Sequence, residues 1–501
     1  MLFRNTVAQS AARITGYAFS LLLAPLMLSR LSLAEFGVWA VTGAMATYAG
    51  LADMGITRSL SRFIALFETR GDERGIAESI GLGMLAVTLI GSLSAIAAAL
   101  AAPLFSGAFG VLDTADMRIV LLSSSAIFTA QAYRKVFASL PTGMRRMLPP
   151  NIASIFASTV NFAFSVTALL VSPNLVSYAL ANLAAELIGM VAMLVSALYV
   201  KRRLPLAMPT RARTRELLGF GLKNQAIFAA DLFNVQANKV ILAFLIDVRV
   251  AGAYDIGARV ASAVKSMAQL TTSAMLPTAT ADIAARGRTA IRPFYRRYLL
   301  RTTAIAFPVF VATAVSAPFL FGAWLGDDVP MDASSVMILL LATHFFNITT
   351  GVGTTVAIAE GRPGLAATNS VVAAGFNLVL TLALAPLFGM WGVLAATFLS
   401  IAASSLLFIQ RLHRAYEMPI GDYLRGVLPP AALSIGLAVP FGVVSFVAAE
   451  LAAERVPALL ALAGTAGIYS FAYWLIASRL DYLPSKLTAR WPRRRASQPA
   501  A

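Results

Sequence analysis

The sequence predicts an all-α polytopic membrane protein with about 14 transmembrane helices. The chain has 501 residues, of which 58% are hydrophobic and 13% are charged, and its mean hydropathy is +0.76. A soluble protein carries roughly 25% charged residues, about twice this fraction. Apolar runs of about 20 residues recur along the chain, and each is long enough to cross a bilayer as a helix.

The apolar runs give the boundaries of the predicted helices. They lie near residues 11–30, 36–61, 79–103, 117–140, 149–171, 175–199, 217–246, 250–280, 295–322, 332–358, 364–386, 389–412, 426–448 and 456–478. Several are longer than a minimal span, so we expect tilts or kinks, for example at Pro25, Pro277 and Pro308.

The loops between these helices alternate in charge. Every second loop and the C-terminal tail are rich in arginine and lysine, as at 70–74, 145–146, 201–215, 286–297 and 486–495. The intervening loops carry few basic residues and hold several acidic ones, such as Asp113, Asp116 and Asp327. The positive-inside rule therefore places both termini in the cytoplasm. The net charge of +17 then reflects topology and lipid headgroups, so we expect no nucleic-acid partner.

A short internal match predicts two similar halves. Phe36-Gly37-Val38-Trp39 aligns with Ala251-Gly252-Ala253-Tyr254, and each copy opens an apolar helix. We predict an N-terminal six-helix lobe with the inter-lobe linker (1–214), a C-terminal six-helix lobe (215–415), and two further helices with a basic tail (416–501). Duplicated lobes of this kind are typical of transporters that rock around one central site. We expect Trp39 and Tyr254 to lie in an aromatic belt at the membrane surface.

Composition excludes several kinds of chemistry. The chain has no cysteine and only two histidines, so neither a thiolate nor a histidine metal cluster is expected. The sequence contains no G-x-x-x-x-G-K-[ST] phosphate loop, and no segment is long enough for a soluble catalytic domain. We therefore expect a transporter rather than an enzyme, with no cofactor.

Three groups of residues carry a family resemblance. The first is Leu51-Ala52-Asp53-Met54-Gly55-Ile56 with Arg58 and Arg62, and the second is Gln236-Ala237-Asn238-Lys239 with Ile241-Leu242. The third comprises Gly361-Arg362, Asn377, Pro386, Gly389, Gly392, Ala396-Thr397 and Ser400. Together they resemble the lipid-linked oligosaccharide flippases of O-antigen type, in the multidrug/oligosaccharidyl-lipid/polysaccharide exporter superfamily. One departure is that Asn238-Lys239 stands where that family usually has Asp-Arg, which puts a typical ionic contact in doubt.

The resemblance implies translocation of an undecaprenyl-diphosphate-linked glycan across the inner membrane by alternating access. It also implies the lipid bilayer as a partner, with a glycan polymerase or export machinery as further partners. Three alternatives stay open: a flippase of the peptidoglycan precursor lipid II, an ion-coupled drug or cation antiporter, and a membrane glycosyltransferase or polymerase.

Ionisable residues inside the predicted helices are the candidate site, because charges at membrane depth are costly and usually functional. Basic residues outnumber acidic ones there, which suits a diphosphate headgroup. The candidates for the diphosphate or glycan cavity are Lys265, Arg58, Arg62, Arg134, Lys135, Lys223 and Lys239. Lys265 is the deepest of them and is the foremost candidate. An alternative is that some of the others reach lipid headgroups at the inner surface, namely Arg58, Arg62, Arg134, Lys135 and Lys223.

Three residues near the midpoints of their helices are candidates for coupling or switching: Asp231, Glu186 and His344. We predict that Asp231 faces Lys265, either as a switchable ion pair with a coupling H⁺ or Na⁺ or as a static packing pair. Asp255 and Arg259 are spaced i,i+4, so we expect a local pair on the surface of their helix.

Overall fold

Most of the residues that the computed structural model describes, which are 2–49, 56–273, 275–326, 330, 332–450 and 454–483, are helical. The helices in chain order are α1 (Leu2–Arg30), α2 (Leu33–Ala49), α3 (Ile56–Thr69), α4 (Glu73–Phe109), α5 (Thr114–Gly143), α6 (Leu148–Val171), α7 (Leu175–Val200), α8 (Arg211–Leu245), α9 (Val248–Ser273), α10 (Leu276–Arg286), α11 (Ile291–Val315), α12 (Ala317–Leu325), α13 (Ala333–Ala359), α14 (Pro363–Ala415), α15 (Gly421–Glu450) and α16 (Arg455–Arg479). No strand occurs in this part of the chain, which confirms the predicted all-α class.

Eight helical segments of the described residues are long and apolar enough to cross a membrane. Helices α5, α8 and α9 are not among them, and these helices contain many of the charged candidate residues. Each charged residue lowers the mean hydropathy of its helix, whereas Glu186 and His344 lie on helices that are among the eight. The count of 14 spans stays a prediction.

Most predicted boundaries agree with the helices, and the exceptions have local causes. The predicted helix 295–322 is divided between α11 and α12 at Ser316, because Pro318 has no N–H to continue the hydrogen bonding. Pro277 lies in the first turn of α10 rather than inside a longer helix. The predicted helix 36–61 corresponds to α2 and α3, and residues 50–55, including Asp53, lie outside the described residues.

Helix α14 is broken near Gly389, which confirms the predicted boundary between the helices 364–386 and 389–412. Gly389 has φ +57° and ψ −135°, a backbone conformation that side chains disfavour. A Cβ on Gly392 would lie 2.2 Å from the carbonyl oxygen of Leu384, so the chain can fold back closely only with glycine there. Pro386, Gly389 and Gly392 of the third family-like segment therefore form a tight helix break.

The two repeated glycines pack against each other. A Cβ on Gly37 of α2 would lie 2.0 Å from the carbonyl oxygen of Val248, at the start of α9. A Cβ on Gly252 would lie 2.9 Å from the carbonyl oxygen of Leu33 and 3.2 Å from the amide nitrogen of Gly37. The matched segments thus form one helix crossing, at which only glycine lets the backbones approach so closely.

The aromatic residues that follow these glycines in the matched segments, Trp39 and Tyr254, do not form the predicted belt at the membrane surface. Tyr254 is 3% exposed, and its hydroxyl accepts a hydrogen bond from Asn238. Trp39 is half-buried and packs edge-on against Tyr178, with 5.0 Å between ring centroids. The belt prediction was wrong because the helix crossing turns both rings towards neighbouring helices.

The segment between α7 and α8 is docked against α4. Glu78 is 3% exposed, accepts a hydrogen bond from Thr210 at 3.2 Å and lies 3.5 Å from Arg213. Arg213 also pairs with Asp72 at 2.9 Å and stacks over the ring of Phe67 at 4.1 Å. A buried carboxylate requires such partners, so this segment is held by an ionic cluster rather than left as a loose linker.

The chain forms two compact units. Unit 1 comprises Met1–Ala263, Trp324–Thr343 and Pro363–Phe408, and unit 2 comprises Val264–Ala323, His344–Arg362 and Ile409–Ala501. The core of unit 1 includes the buried face of α3, which repeats at helical spacing through Leu60, Ile64 and Phe67. The predicted division into lobes at 214 and 415 stays a prediction.

We predict that Gly37→Ala lowers the thermal unfolding midpoint and the yield of folded protein, because the new methyl group meets the backbone of Val248. Gly43→Ala on the same helix is the matched control, since no atom lies within 4 Å of its added Cβ. Fluorescence-detected size exclusion and thermal melts compare the two variants. Equal stability of the two would contradict the close crossing.

An ionic cluster in unit 2 makes stability depend on pH. Glu360 is 11% exposed and accepts hydrogen bonds from Arg288 at 2.7 Å and from Tyr416, while Arg362 lies 3.4 Å away. Burial alone raises the pKa of Glu360, but these partners outweigh it and hold the pKa below its usual value. The stabilisation is therefore present above the ordinary glutamate pKa of about 4.3 and is lost as pH falls through the lowered value.

We predict that Glu360→Gln lowers the thermal unfolding midpoint at pH 7 and that this difference from wild type shrinks below about pH 4. Glu68→Gln, at an exposed residue with no ion pair in the described part of the chain, is the control and should show neither effect. A difference that stays constant from pH 7 to pH 3.5 would contradict the assigned partners.

Candidate functional site

One face of α7 carries polar side chains into unit 1. Tyr178, Asn182 and Glu186 are spaced four residues apart, so they share this face, and all three are buried. Asn182 accepts a hydrogen bond from Asn161 of α6 at 3.0 Å and donates one to the carbonyl oxygen of Tyr178. The remainder of α7 is apolar, so the stripe marks the side of the helix that faces a polar interior.

The stripe ends in an ion pair between Glu186 and Arg134 of α5. The side chain of Glu186 is 7% exposed and that of Arg134 is 20% exposed. Gly189 lies one turn further along α7, where an added Cβ would lie 2.8 Å from the Cβ of Ala157, so glycine lets α6 and α7 approach closely beside the pair. The pair joins a residue predicted for coupling to one predicted for substrate binding.

The stripe and the ion pair line a cavity of about 280 Å³ in unit 1, which we call the α7 cavity. Trp39, Asn161 and Arg259 also line it, together with Ser20 of α1. A second cavity of about 220 Å³, the Asp255 cavity, adjoins it and shares Ser20 and Arg259. The two cavities therefore meet at Ser20 and Arg259.

Asp255 is the centre of the second cavity. It is 3% exposed and forms ion pairs with Lys239 of α8 and with Arg259, whose Nε lies 2.7 Å from Oδ2. Asp255 and Arg259 form the predicted i,i+4 pair, but the prediction of a helix-surface position was wrong. The carboxylate is buried and faces α8, because Lys239 meets it from that helix, while Arg259 reaches Ser20 of α1.

The register of α8 against α9 creates this cluster. The side chain of Asn238 donates hydrogen bonds to Tyr254 at 3.1 Å and to Thr397 at 2.8 Å. Lys239 and Asp255 are the next residues on the two helices, and their ion pair lies beside the Asn238–Tyr254 contact. Lys239 thus has an ionic partner, although the sequence departs here from the family pattern.

Arg259 connects the two cavities. Its Nη1 donates to the hydroxyl of Ser20 at 3.2 Å, and its guanidinium lies 5.2 Å from the ring centroid of Phe36. The lining residues Arg134, Lys239 and Arg259 face the carboxylates Glu186 and Asp255, so one positive charge is in excess. Guanidinium and ammonium groups in a low-dielectric cavity favour an anionic ligand.

The other predicted site residues are distributed differently. Arg62 and Lys135 are exposed, on α3 and α5 respectively. Arg58, Lys223 and Asp231 lie outside the residues whose side chains the structure describes, so the predicted Asp231–Lys265 contact stays untested. In unit 2, Lys265 lies close enough to His344 for an electrostatic interaction, and Nδ1 of His344 is buried without a hydrogen-bond partner in the described part.

Sequence reasoning missed several residues of the site. A sequence pattern could have identified Tyr178 and Asn182, because polar residues spaced four apart interrupt an otherwise apolar helix. No such pattern marks Ser20, because a single serine in an apolar helix is common. Among the described residues, no group of three or more histidines, aspartates or glutamates could hold a metal ion.

We predict that Asp255→Asn destabilises the protein by about 3–5 kcal/mol, because two partly buried cations lose the buried carboxylate that they share. Asp282→Asn is the control, since that aspartate is 38% exposed and pairs only with Arg286 on its own helix. Thermal and denaturant unfolding in detergent measure the difference. The double change Asp255→Asn with Lys239→Met should recover part of the loss, and no recovery would contradict the pairing.

Comparisons with known proteins agree with this architecture. The family model described as polysaccharide biosynthesis protein matches residues 2–281. A structure titled "Lipid II flippase MurJ, inward closed conformation" is similar at 13% sequence identity and TM-score 0.72, covering 96% of this chain and 100% of that chain. An inward-facing multidrug resistance MATE family transporter of the MOP superfamily is similar at 16% identity and TM-score 0.62, covering 82% of this chain and 98% of that chain.

A Vibrio cholerae MATE transporter, VcmN, is similar at 18% identity and TM-score 0.54, covering 84% of this chain and 98% of that one. No curated protein matches the sequence. The solved structures share the multi-pass helical fold, and the family model spans more than half of the chain. The protein therefore belongs to the polysaccharide biosynthesis protein family.

Proposed function

We propose that the protein translocates an undecaprenyl-diphosphate-linked oligosaccharide or polysaccharide precursor across the bacterial inner membrane. The lobes would alternate between inward-facing and outward-facing states, with the lipid tail remaining in the bilayer. Both termini would lie in the cytoplasm, as the charge of the loops predicts. The family assignment supports a role in polysaccharide synthesis, and the fold it shares with a flippase supports translocation.

The observation that carries the proposal is the excess of cations around the two adjoining cavities of unit 1. Arg259 is the key group, because it lines both cavities and its guanidinium has donors beyond those used by Asp255 and Ser20. Diphosphate oxygens are matched acceptors for such a fork of donors. Arg134 would extend the same surface along the α7 cavity, where Asn161 and Asn182 offer hydrogen bonds to a glycan.

The remaining basic candidates would act at other stages. Arg62 and Lys135 are exposed, so we propose that they contact the headgroup on entry, together with Arg58 and Lys223. Lys265 stays our candidate for a contact deep in the membrane. Lys239 is already paired with Asp255, and its role would be to hold that carboxylate while Arg259 shifts towards the ligand.

Coupling is proposed to use an H⁺ or Na⁺ gradient or the membrane potential. Glu186 is the best-placed group for this role, because binding an anion at Arg134 would weaken the Arg134–Glu186 pair and free the carboxylate to take up a cation. His344 and Asp231 are the other candidates. No ATP-binding phosphate loop occurs in the sequence.

A lipid II flippase is the second candidate function, and the fold shared with MurJ favours it. Both substrates present a diphosphate to the same cations, so they differ only in the glycan. A drug or cation antiporter would be expected to have carboxylates in excess at its cavity, and the described lining residues have the opposite balance. A glycosyltransferase or polymerase is the alternative of another class.

We predict that Arg259→Gln lowers the rate of flipping of a fluorescent undecaprenyl-diphosphate glycan in proteoliposomes by about tenfold or more. Lys265→Ala should also lower the rate. The control is Arg249→Gln, an exposed arginine on the same helix that has no ion pair in the described part of the chain. Each variant is first checked for wild-type yield and monodispersity, so that transport is compared among folded proteins.

If Arg259→Gln flipped the substrate at the wild-type rate, that result would contradict the proposal that the diphosphate binds at the cavities of unit 1. Transport of lipid II at a rate equal to or above that of the oligosaccharide substrate would favour the second candidate. Transport of cationic drugs without transport of either lipid would contradict the proposal as a whole.

A further inference from the structure

A basic pocket in unit 2 is not used by the proposed transport site. Helices α11 and α15 begin side by side, and their first turns enclose an open pocket of about 590 Å³. Four arginines line it, namely Arg292, Arg296, Arg297 and Arg425. The only acidic residue among its lining residues is Asp422.

The charges in this pocket do not balance. Asp422 is 1% exposed and is shared between Arg292, at 2.6 Å, and Arg296, at 3.5 Å. Arg297 and Arg425 are both exposed, and neither has a carboxylate partner among the described residues. Three positive charges are therefore in excess, and the guanidinium groups present many more donors than one carboxylate can accept.

The pocket is held by a close helix contact. A Cβ on Gly426 of α15 would lie 2.7 Å from the side chain of Leu299 on α11, so glycine permits the approach. The hydroxyl of Thr303 donates to the carbonyl oxygen of Gly426 at 2.6 Å. These contacts fix the two helix starts, whose N-terminal dipoles add to the positive potential.

An apolar surface continues directly from the pocket. Leu424 and Leu428 of α15 are 43% and 57% exposed and flank Arg425, and Ile435 and Val439 continue the exposed row at 59% and 71%. Both helices run from this point into apolar segments long enough to cross a membrane. The arginines therefore lie where a helix pair enters the bilayer, beside a surface that suits acyl chains.

We propose that this pocket binds the phosphate headgroup of an anionic glycerophospholipid, such as phosphatidylglycerol, with its acyl chains along Leu424 and Leu428. The phosphate accepts hydrogen bonds from Arg297 and Arg425, while Asp422 keeps Arg292 and Arg296 in position. A free phosphate ion would satisfy the same arginines, but it would leave the adjoining apolar row unused. The pocket shares no lining residue with the cavities of unit 1, and the proposal does not depend on the flippase proposal.

The test is native mass spectrometry of the full-length protein in detergent, titrated with dioleoyl phosphatidylglycerol or dioleoyl phosphatidylcholine. Wild type should bind phosphatidylglycerol at a saturable site more tightly than phosphatidylcholine. The double variant Arg297→Gln with Arg425→Gln should weaken phosphatidylglycerol binding by about tenfold or more and leave phosphatidylcholine binding unchanged. Its folding should persist, because neither arginine has an ion pair in the described residues.

The matched control is Arg411→Gln with Arg414→Gln, which removes two exposed arginines near the end of α14 and should keep the wild-type preference. Arg259→Gln should also keep it, which separates this site from the transport cavities. If wild type bound phosphatidylglycerol and phosphatidylcholine with equal affinity, that result alone would overturn the proposal, whatever the variants showed. Displacement of phosphatidylglycerol by an equal concentration of inorganic phosphate would identify a free-phosphate site instead and would also overturn it.

Discussion

The structure of the candidate site depends on one constraint, the cost of a carboxylate buried in an apolar helical protein. Asp255 is 3% exposed, so it must be paired: Arg259 pairs with it on α9 itself, and Lys239 ties α8 to α9. The Asn238–Tyr254 hydrogen bond fixes the same register one residue earlier on both helices. Packing and electrostatics therefore specify the same arrangement.

The pairing also determines what the cavities can bind. Because Asp255 is shared by two cations, it neutralises only part of their charge, and Arg259 retains donors that face the adjoining α7 cavity. The Arg134–Glu186 pair is balanced by itself, so an incoming anion must compete with Glu186 for Arg134. This competition links ligand binding to the state of a buried carboxylate, which is the basis of the proposed coupling.

The sequence predicted features that depend on local spacing and chemistry. These features follow from residues close together in the chain. They are the helical class, the break at Pro386 and Gly389, and the Asp255–Arg259 pair. It did not predict the Arg134–Glu186 pair or the partner of Asp255 on α8, because helical spacing does not determine which helices become neighbours. The aromatic-belt interpretation of Tyr254 was wrong for the same reason: a residue near a helix start can face another helix as readily as the membrane surface.

The central claim, that the cations of unit 1 recognise a diphosphate, is tested most directly by comparing two lipid substrates in proteoliposomes containing wild type. The substrates would be the same glycan linked to undecaprenyl through a diphosphate or through a monophosphate. We predict that the diphosphate-linked glycan is flipped at least about tenfold faster, because a second phosphate engages a further charged donor. Equal rates for the two substrates, or transport of neither, would contradict the claim.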